Sequence, residues 1–390
     1  MSLFTSQLIL PKNRADLRYE TRAFSHSERR ANTPRVQWSK FSHYDESEQQ
    51  FIKLLDMDNL DFAIQFDRSL SANFEATLVR ALAIAFIPSS AIDSDRANLF
   101  LQRILYRINR LKLFWYDDLH HYKNERSNYV REVRDRIEAT WHACELAQID
   151  RAALLGINVR DALIERTQID LDTPATESGI FFRDQANIVA YRRLLEIFSL
   201  DALVEASQLV RTLGGVSNPI QAMLTRMLME EYGGGNLPRK HSSYFATMLN
   251  EMNLNATPEA YLARVPWQVL AAINHSFLLS ERKRYFLRYI GGLLYTEISV
   301  PLSFNNYQAA AERLDLHKGT LNYWQLHIRE DERHGQWMLH DVAIPLITQY
   351  PDDAWELLLG YDQQRLISAR AGASILKAAQ AAMHVQNQIS

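Results

Sequence analysis

Apolar residues recur at i, i+3, i+4 and i+7 through long stretches of this chain, the spacing that lines one face of an α-helix. Four such segments follow one another after Asp45: SEQQFIKLLDMDNLDFAI, FEATLVRALAIAFI, NLFLQRILYRINRLKLFWYDDLHHY and NYVREVRDRIEATWHACELAQ. Turn chemistry separates them at Pro88-Ser-Ser and between Asn124 and Asn128. The polar stretch Ile169 to Gly179, which holds a Pro and a Gly, is the clearest shift in composition and marks a domain boundary. Beyond it the pattern predicts helices over 184–213 with a break near Ser199, then 217–231, 240–252, 258–274, 281–300, 306–315, 319–334 and 337–349, and a last one from Asp353 to about Val385. Strand-like alternation of useful length is missing, and no fixed period argues for a solenoid. The expected architecture is all-α in three parts: a polar extended arm over 1–45, a helical region over 46–175 and a second helical domain over 176–390.

Composition narrows the class. With 47% hydrophobic residues, 390 residues can bury substantial cores. Its 13 Gly and 11 Pro are about half of the roughly 12% of average usage, which disfavours a turn-rich β fold. A single cysteine, Cys144, rules out an intramolecular disulfide framework and any clustered-thiolate zinc or iron–sulfur site, and suits a reducing, cytoplasmic compartment. The balance of 43 basic to 46 acidic residues supplies no electrostatic argument for a nucleic-acid or membrane partner. The amino-terminal stretch does not read as a signal peptide, and the apolar runs fall far short of the ~20 residues that span a bilayer.

The strongest local signal is Trp324-Gln-Leu-His327-Ile-Arg-Glu-Asp331-Glu-Arg-His334. On a helix, positions i, i+4 and i+7 share a face, so His327, Asp331 and His334 present three ligands for zinc, iron or manganese. The plain alternative is a solvated face whose acids and arginines exchange ion pairs with two surface histidines. A second signal is Glu230-Glu231-Tyr232 running into Gly233-Gly234-Gly235 and on through Pro238 to His241. Three glycines and a proline must break the helix. The break either aims Glu231 and His241 at one point or is a capping turn with both residues in ordinary roles. Glu297 is the lone acid of an apolar helix, and Glu205 reads the same way within Leu203 to Val210. Buried carboxylates need a cation, a donor or a metal. Glu205, Glu231, His241, Glu297, His327, Asp331 and His334 together offer the oxygen and nitrogen donors of a carboxylate-bridged dinuclear iron or manganese site. Tyr232, Tyr295, Trp324 and Trp337, near these residues in sequence, are read as core packing.

In order, type and separation, the run Glu231-Tyr-Gly through His241, then Glu297, then His327-x3-Asp331-x2-His334 resembles the haem-oxygenase-like di-iron oxidases and oxygenases. The resemblance implies a seven-helix bundle over 176–390 that holds two non-haem Fe2+ ions, with O2 as co-substrate. It implies N-oxygenation of a small amine or amino acid through a peroxo-bridged diferric intermediate, with an external electron donor where the stoichiometry needs one. His241, Glu231 and His334 would serve one iron, His327 and Asp331 the other, with Glu297 between or beside them and Glu205 as the carboxylate of the first core helix. Some members carry a carboxylate three residues before the motif histidine. Here Pro238 stands at that place and cannot coordinate, so Glu231 must contribute. The helical region 46–175 would be the counterpart of a dimerising region in amine-oxygenating members, which implies a homodimer. Two alternatives stay open: desaturation or fragmentation of an amino acid or fatty acid, and a metal-free helical scaffold or regulator.

Overall fold

A computed structural model describes residues 43–86, 91–114, 118–216 and 218–389. Among these residues every regular element is helical, as the periodicity predicts. The arm expected over 1–45 lies, through residue 42, outside the described residues. The first helices are α1 (His43–Leu55), α2 (Leu60–Phe66), α3 (Ser69–Ala85), α4 (Ala91–Arg110), α5 (Asn128–Leu146), α6 (Val159–Leu171) and α7 (Glu177–Asp184). They are followed by α8 (Ile188–Ala202), the short α9 (Ser207–Val210), α10 (Pro219–Glu231), α11 (His241–Glu251) and α12 (Trp267–Glu281). The last are α13 (Phe286–Arg313), α14 (Lys318–Trp337), α15 (Ile344–Gln349) and α16 (Trp355–Ile389). A wider π turn, Met338–Ala343, joins α14 to α15.

Side-chain caps start many of these helices. Ser127 accepts the N–H of Val130 at the head of α5, and Asn187 accepts those of Val189 and Ala190 at the head of α8. Asp61 of α2 takes the Ser127 hydroxyl and the N–H groups of Asn128 and Tyr129, which ties α2 to the start of α5. Phe51, Phe74, Phe100 and Trp141 belong to one apolar core, which α12 joins through Ala271 and Leu278. Across the same contact Asn109 donates to Asn274 at 3.0 Å and Asn274 donates to Gln102 at 2.9 Å, a buried polar network. The described residues form one compact unit, and α6 packs on α13 and α16.

Several boundaries differ from the periodic reading, each for a local reason. The first predicted helix is two, because Asn59 adopts a left-handed φ of 50° and the chain restarts as α2. The expected break at Ser199 falls instead at 203–206. Ser199 returns its hydroxyl to the Glu196 carbonyl and stays helical, whereas Ala206 sits at φ 64°. Glu205, expected on a helix, therefore lies in the turn between α8 and α9. The helix expected over 258–274 begins only after Pro266, whose extended ψ of 147° starts α12. Conversely, α13 runs without interruption through Pro301. Proline has no N–H for the carbonyl four residues earlier, so the helix lacks one rung at Glu297, a candidate ligand.

Candidate metal centre

Seven side chains from five stretches of chain meet inside the bundle. α10 ends with Glu231, and the glycine turn behind it reverses the chain so that α11 opens on His241. Gly233 permits that reversal: its φ is +61°, and a Cβ there would lie 2.5 Å from the Arg239 backbone. Glu231 Oε2 and His241 Nδ1 end up 3.0 Å apart. α14 supplies His327, Asp331 and His334, whose relative exposures of 6%, 4% and 0% exclude the solvated-face alternative for that helix. α13 packs on α14 and brings Glu297 alongside His334. The 203–206 turn supplies Glu205.

The donor atoms fall into two groups. Glu205, His241 and His327 form one and Glu231, Asp331 and His334 the other, with the ligand atoms of each group within 4.8 Å of one another. In the first, His241 Nδ1 lies 3.1 Å from His327 Nε2, which is 3.6 Å from Glu205 Oε2. In the second, His334 Nδ1 faces Glu231 Oε1 at 3.6 Å, Asp331 Oδ1 at 3.6 Å and Glu297 Oε2 at 3.5 Å. Glu231 thus aims one oxygen at each group. The pairing differs from the one implied by resemblance: His241 stands with His327, not His334, and Asp331 stands with His334.

Each imidazole is oriented by a partner on its outer side. His327 donates Nδ1–H to the Tyr323 carbonyl at 2.9 Å, which leaves Nε2 as the inward lone pair. His241 donates Nε2–H to Glu330 at 3.1 Å, and His334 donates Nε2–H to Glu230 at 2.9 Å. His334 Nδ1 and Glu205 Oε1 are buried without any hydrogen-bond partner, as ligands waiting for a cation are. Glu230 and Glu330 were not singled out by sequence. Both stand beside other charged residues, and only the crossing of α10, α11 and α14 shows which imidazole each one holds.

Electrostatics points the same way. Burial would lower His241, but its hydrogen bonds to Glu231 and Glu330 push it up to about 10. Burial opposes protonation of His334 too, yet Glu297, Glu231 and Glu230 raise it to about 9. Asp331 is driven well above the carboxylate range by burial and then by Glu297 and Glu231. Burial alone would raise Glu231, but the three histidines hold it below its usual value. Without a metal, protons sit where a cation would sit. Metal uptake at pH 7 is therefore expected to release about two to three protons per chain, and affinity should climb with pH up to about 9–10. Calorimetry with Zn2+ in buffers of different ionisation enthalpy reads this directly, and uptake that releases no protons would contradict it.

A cavity of about 390 Å3 opens on this cluster, walled by α8, α10, α12, α13, α14 and α16. Phe198, Ile273, Val300, Phe304 and Ile375 make it largely apolar. Tyr323 also lines it and donates to Glu205 at 2.8 Å. Tyr232, Tyr295, Trp324 and Trp337 do not line it, and Trp324 is bound in the core through Tyr191 at 2.7 Å. Asp201 on the same wall was missed by sequence reading. Burial, and then the charge of Glu205, raise it to about 6.

Residues 192–364, which include all seven candidate ligands, match the model of a family described as iron-containing redox enzyme. The haem-oxygenase-like all-α class expected from the sequence stands with it. The chain is also 28% identical over 183 residues to a nitrosourea synthase of Streptomyces achromogenes subsp. streptozoticus, a match that covers 46% of this chain and 38% of that relative. The shared stretch thus spans well under half of the relative's length. The two matches support an iron-using oxidoreductase, and among the described residues no helix is long and apolar enough to cross a membrane.

Proposed function

We propose that this chain holds two iron ions and uses O2 to oxygenate a nitrogen of a small amine or amino acid. The observation that carries the reading is Glu231, whose two oxygens face two separate histidine–carboxylate groups. Glu205, His241 and His327 would hold one ion, and Asp331, His334 and Glu297 the other. All donors are oxygen or nitrogen, which suits iron, and no thiolate competes. Iron bound there would supply the one-electron steps that O2 chemistry needs. The likeness to a nitrosourea synthase supports nitrogen, rather than carbon, as the atom oxidised.

The protein's own part is orientation and exclusion. Tyr323 O, Glu230 and Glu330 fix the imidazole rings, so that little reorganisation accompanies metal binding. Phe198, Val300 and Phe304 keep the cavity beside the cluster apolar and limit water. Adding one oxygen atom of O2 to a nitrogen consumes two electrons and two protons and yields water. Those electrons come from an external donor.

The test is anaerobic loading with ferrous ion followed by O2. Wild-type protein should take up about two ions per chain and give a transient visible absorbance. His327→Ala should lose that absorbance. Protein that binds no iron and shows no absorbance would end the reading. A screen of amines and amino acids for accelerated O2 consumption, with product mass, then separates an added oxygen from a lost hydrogen pair.

A further inference from the structure

The cavity wall carries an acid that the metal centre does not use. α8 turns Ile197, Phe198 and Asp201 toward the cavity, and Glu205, in the turn that follows α8, lines the same cavity. Asp201 belongs to neither three-ligand group. Its side chain faces the cavity and keeps free surface. Gln208 donates a hydrogen bond to it, and among the described residues no Lys, Arg or His forms an ion pair with it.

That arrangement is unusual in this protein. Buried or half-buried acids elsewhere have cations: Glu48 has Arg107 at 2.6 Å, Glu196 has Arg264 at 2.8 Å and Asp362 has Arg166 at 2.9 Å. A carboxylate that faces an apolar cavity attracts a cation there more strongly than one surrounded by bulk water does. The space in front of Asp201 is large enough for an organic molecule, since ligand pockets start at about 300 Å3. Away from Asp201, Gln208 and the metal cluster, that space is walled by apolar groups, with Ser276, Tyr289, Thr296, Tyr323 and Gln364 as neutral polar exceptions.

We propose that Asp201 is the specificity-determining anchor for a positively charged nitrogen of the substrate, an ammonium or a guanidinium, held in the cavity beside the metal cluster. The inference rests on the oxygenase reading for what happens next, though not for the binding itself. A protonated nitrogen has no lone pair to oxidise. The anchored charge and the reacting atom are therefore different atoms of one molecule. The substrate class is then a basic small molecule with a second, uncharged oxidisable position. A simple monoamine is excluded, because its one nitrogen cannot serve both roles in one protonation state.

Anaerobic calorimetry on the full chain tests this with three probes of one shape: n-butylammonium, n-butylguanidinium and uncharged n-butylurea. Ferrous-loaded wild-type protein is expected to bind at least one cation about tenfold or more tighter than the urea. The stronger of the two cations identifies the head group. Asp201→Asn, nearly isosteric, is expected to erase that preference while iron uptake stays at the wild-type level. Equal binding of cation and urea by wild-type protein would overturn the proposal, and this comparison needs no variant to fold. So would a cation preference that survives in Asp201→Asn, or loss of iron in that variant, which would make Asp201 part of the metal centre. Failure of the two readings is distinguishable. A wild-type chain that takes up no iron but keeps the cation preference sinks the oxygenase reading and leaves the anchor. Iron uptake with no preference does the opposite.

Discussion

Glu231→Ala is expected to reduce ferrous uptake from about two ions per chain to fewer than one and to abolish the O2-dependent absorbance. Partners outside the first coordination sphere are already worth about 10- to 100-fold in metal affinity, so loss of a direct ligand should exceed a hundredfold. Glu231 adds a further reason. Its Oε2 is 3.0 Å from His241 Nδ1 and its Oε1 is 3.6 Å from His334 Nδ1, so one substitution removes a donor from both groups. Glu205 reaches only His327, at 3.6 Å, and Glu205→Ala should lose one ion and keep the other. Iron analysis after anaerobic loading separates the two variants. Equal losses in both would show that Glu231 does not span the groups.

The largest expected effect on stability comes from two glycines outside the metal centre. α13 and α16 cross so closely that a Cβ on Gly291 would lie 2.0 Å from the Leu357 carbonyl oxygen, and one on Gly360 would lie 1.9 Å from that of Arg288. Both obstacles are backbone, so no rotamer change relieves them and the helices themselves must part. Gly291→Ala or Gly360→Ala should cost more than about 3 kcal/mol, at the upper end of overpacking effects. Metal uptake should fall too, because α13 carries Glu297. Gly372, on the same α16, has open space within 4 Å of the point where a Cβ would stand. Gly372→Ala should be neutral or stabilising by up to about 1 kcal/mol, since Ala favours helix interiors. Urea or thermal melts of the three variants decide it. Similar melts for all three would mean that the α13–α16 crossing has slack.

Much of the site could be read from the chain because its residues repeat at helical spacing or stand out from their company. His327, Asp331 and His334 share a face by arithmetic, and a triple glycine next to Glu231 demands a structural reason. Glu297 is conspicuous as the lone acid of an apolar run. Glu205 was legible as a residue but not as a position. Its helix ends at Ala202, and the left-handed Ala206 is a conformation that no alanine announces. Proline misled in both directions: Pro266 starts a helix that was expected to run from 258, and Pro301 does not end one. Packing against α14 and α16 holds α13 together across its missing hydrogen bond, and local propensity carries no information about that packing.

By itself the sequence determined the all-α class, the absence of a clustered-thiolate site and the candidate oxygen and nitrogen donors, since periodicity and residue type are local properties of a chain. Tertiary structure alone decided which imidazole stands with which carboxylate, that Glu231 faces both groups, and that Glu230 and Glu330 orient two of the rings. It also decided that Asp201 looks into the cavity without a counter-charge. Those facts are distances between residues as far apart in sequence as Glu205 and His327. They are set by how closely helices can approach, down to the glycines that let them touch, and no pattern along one strand of sequence encodes a distance across a bundle.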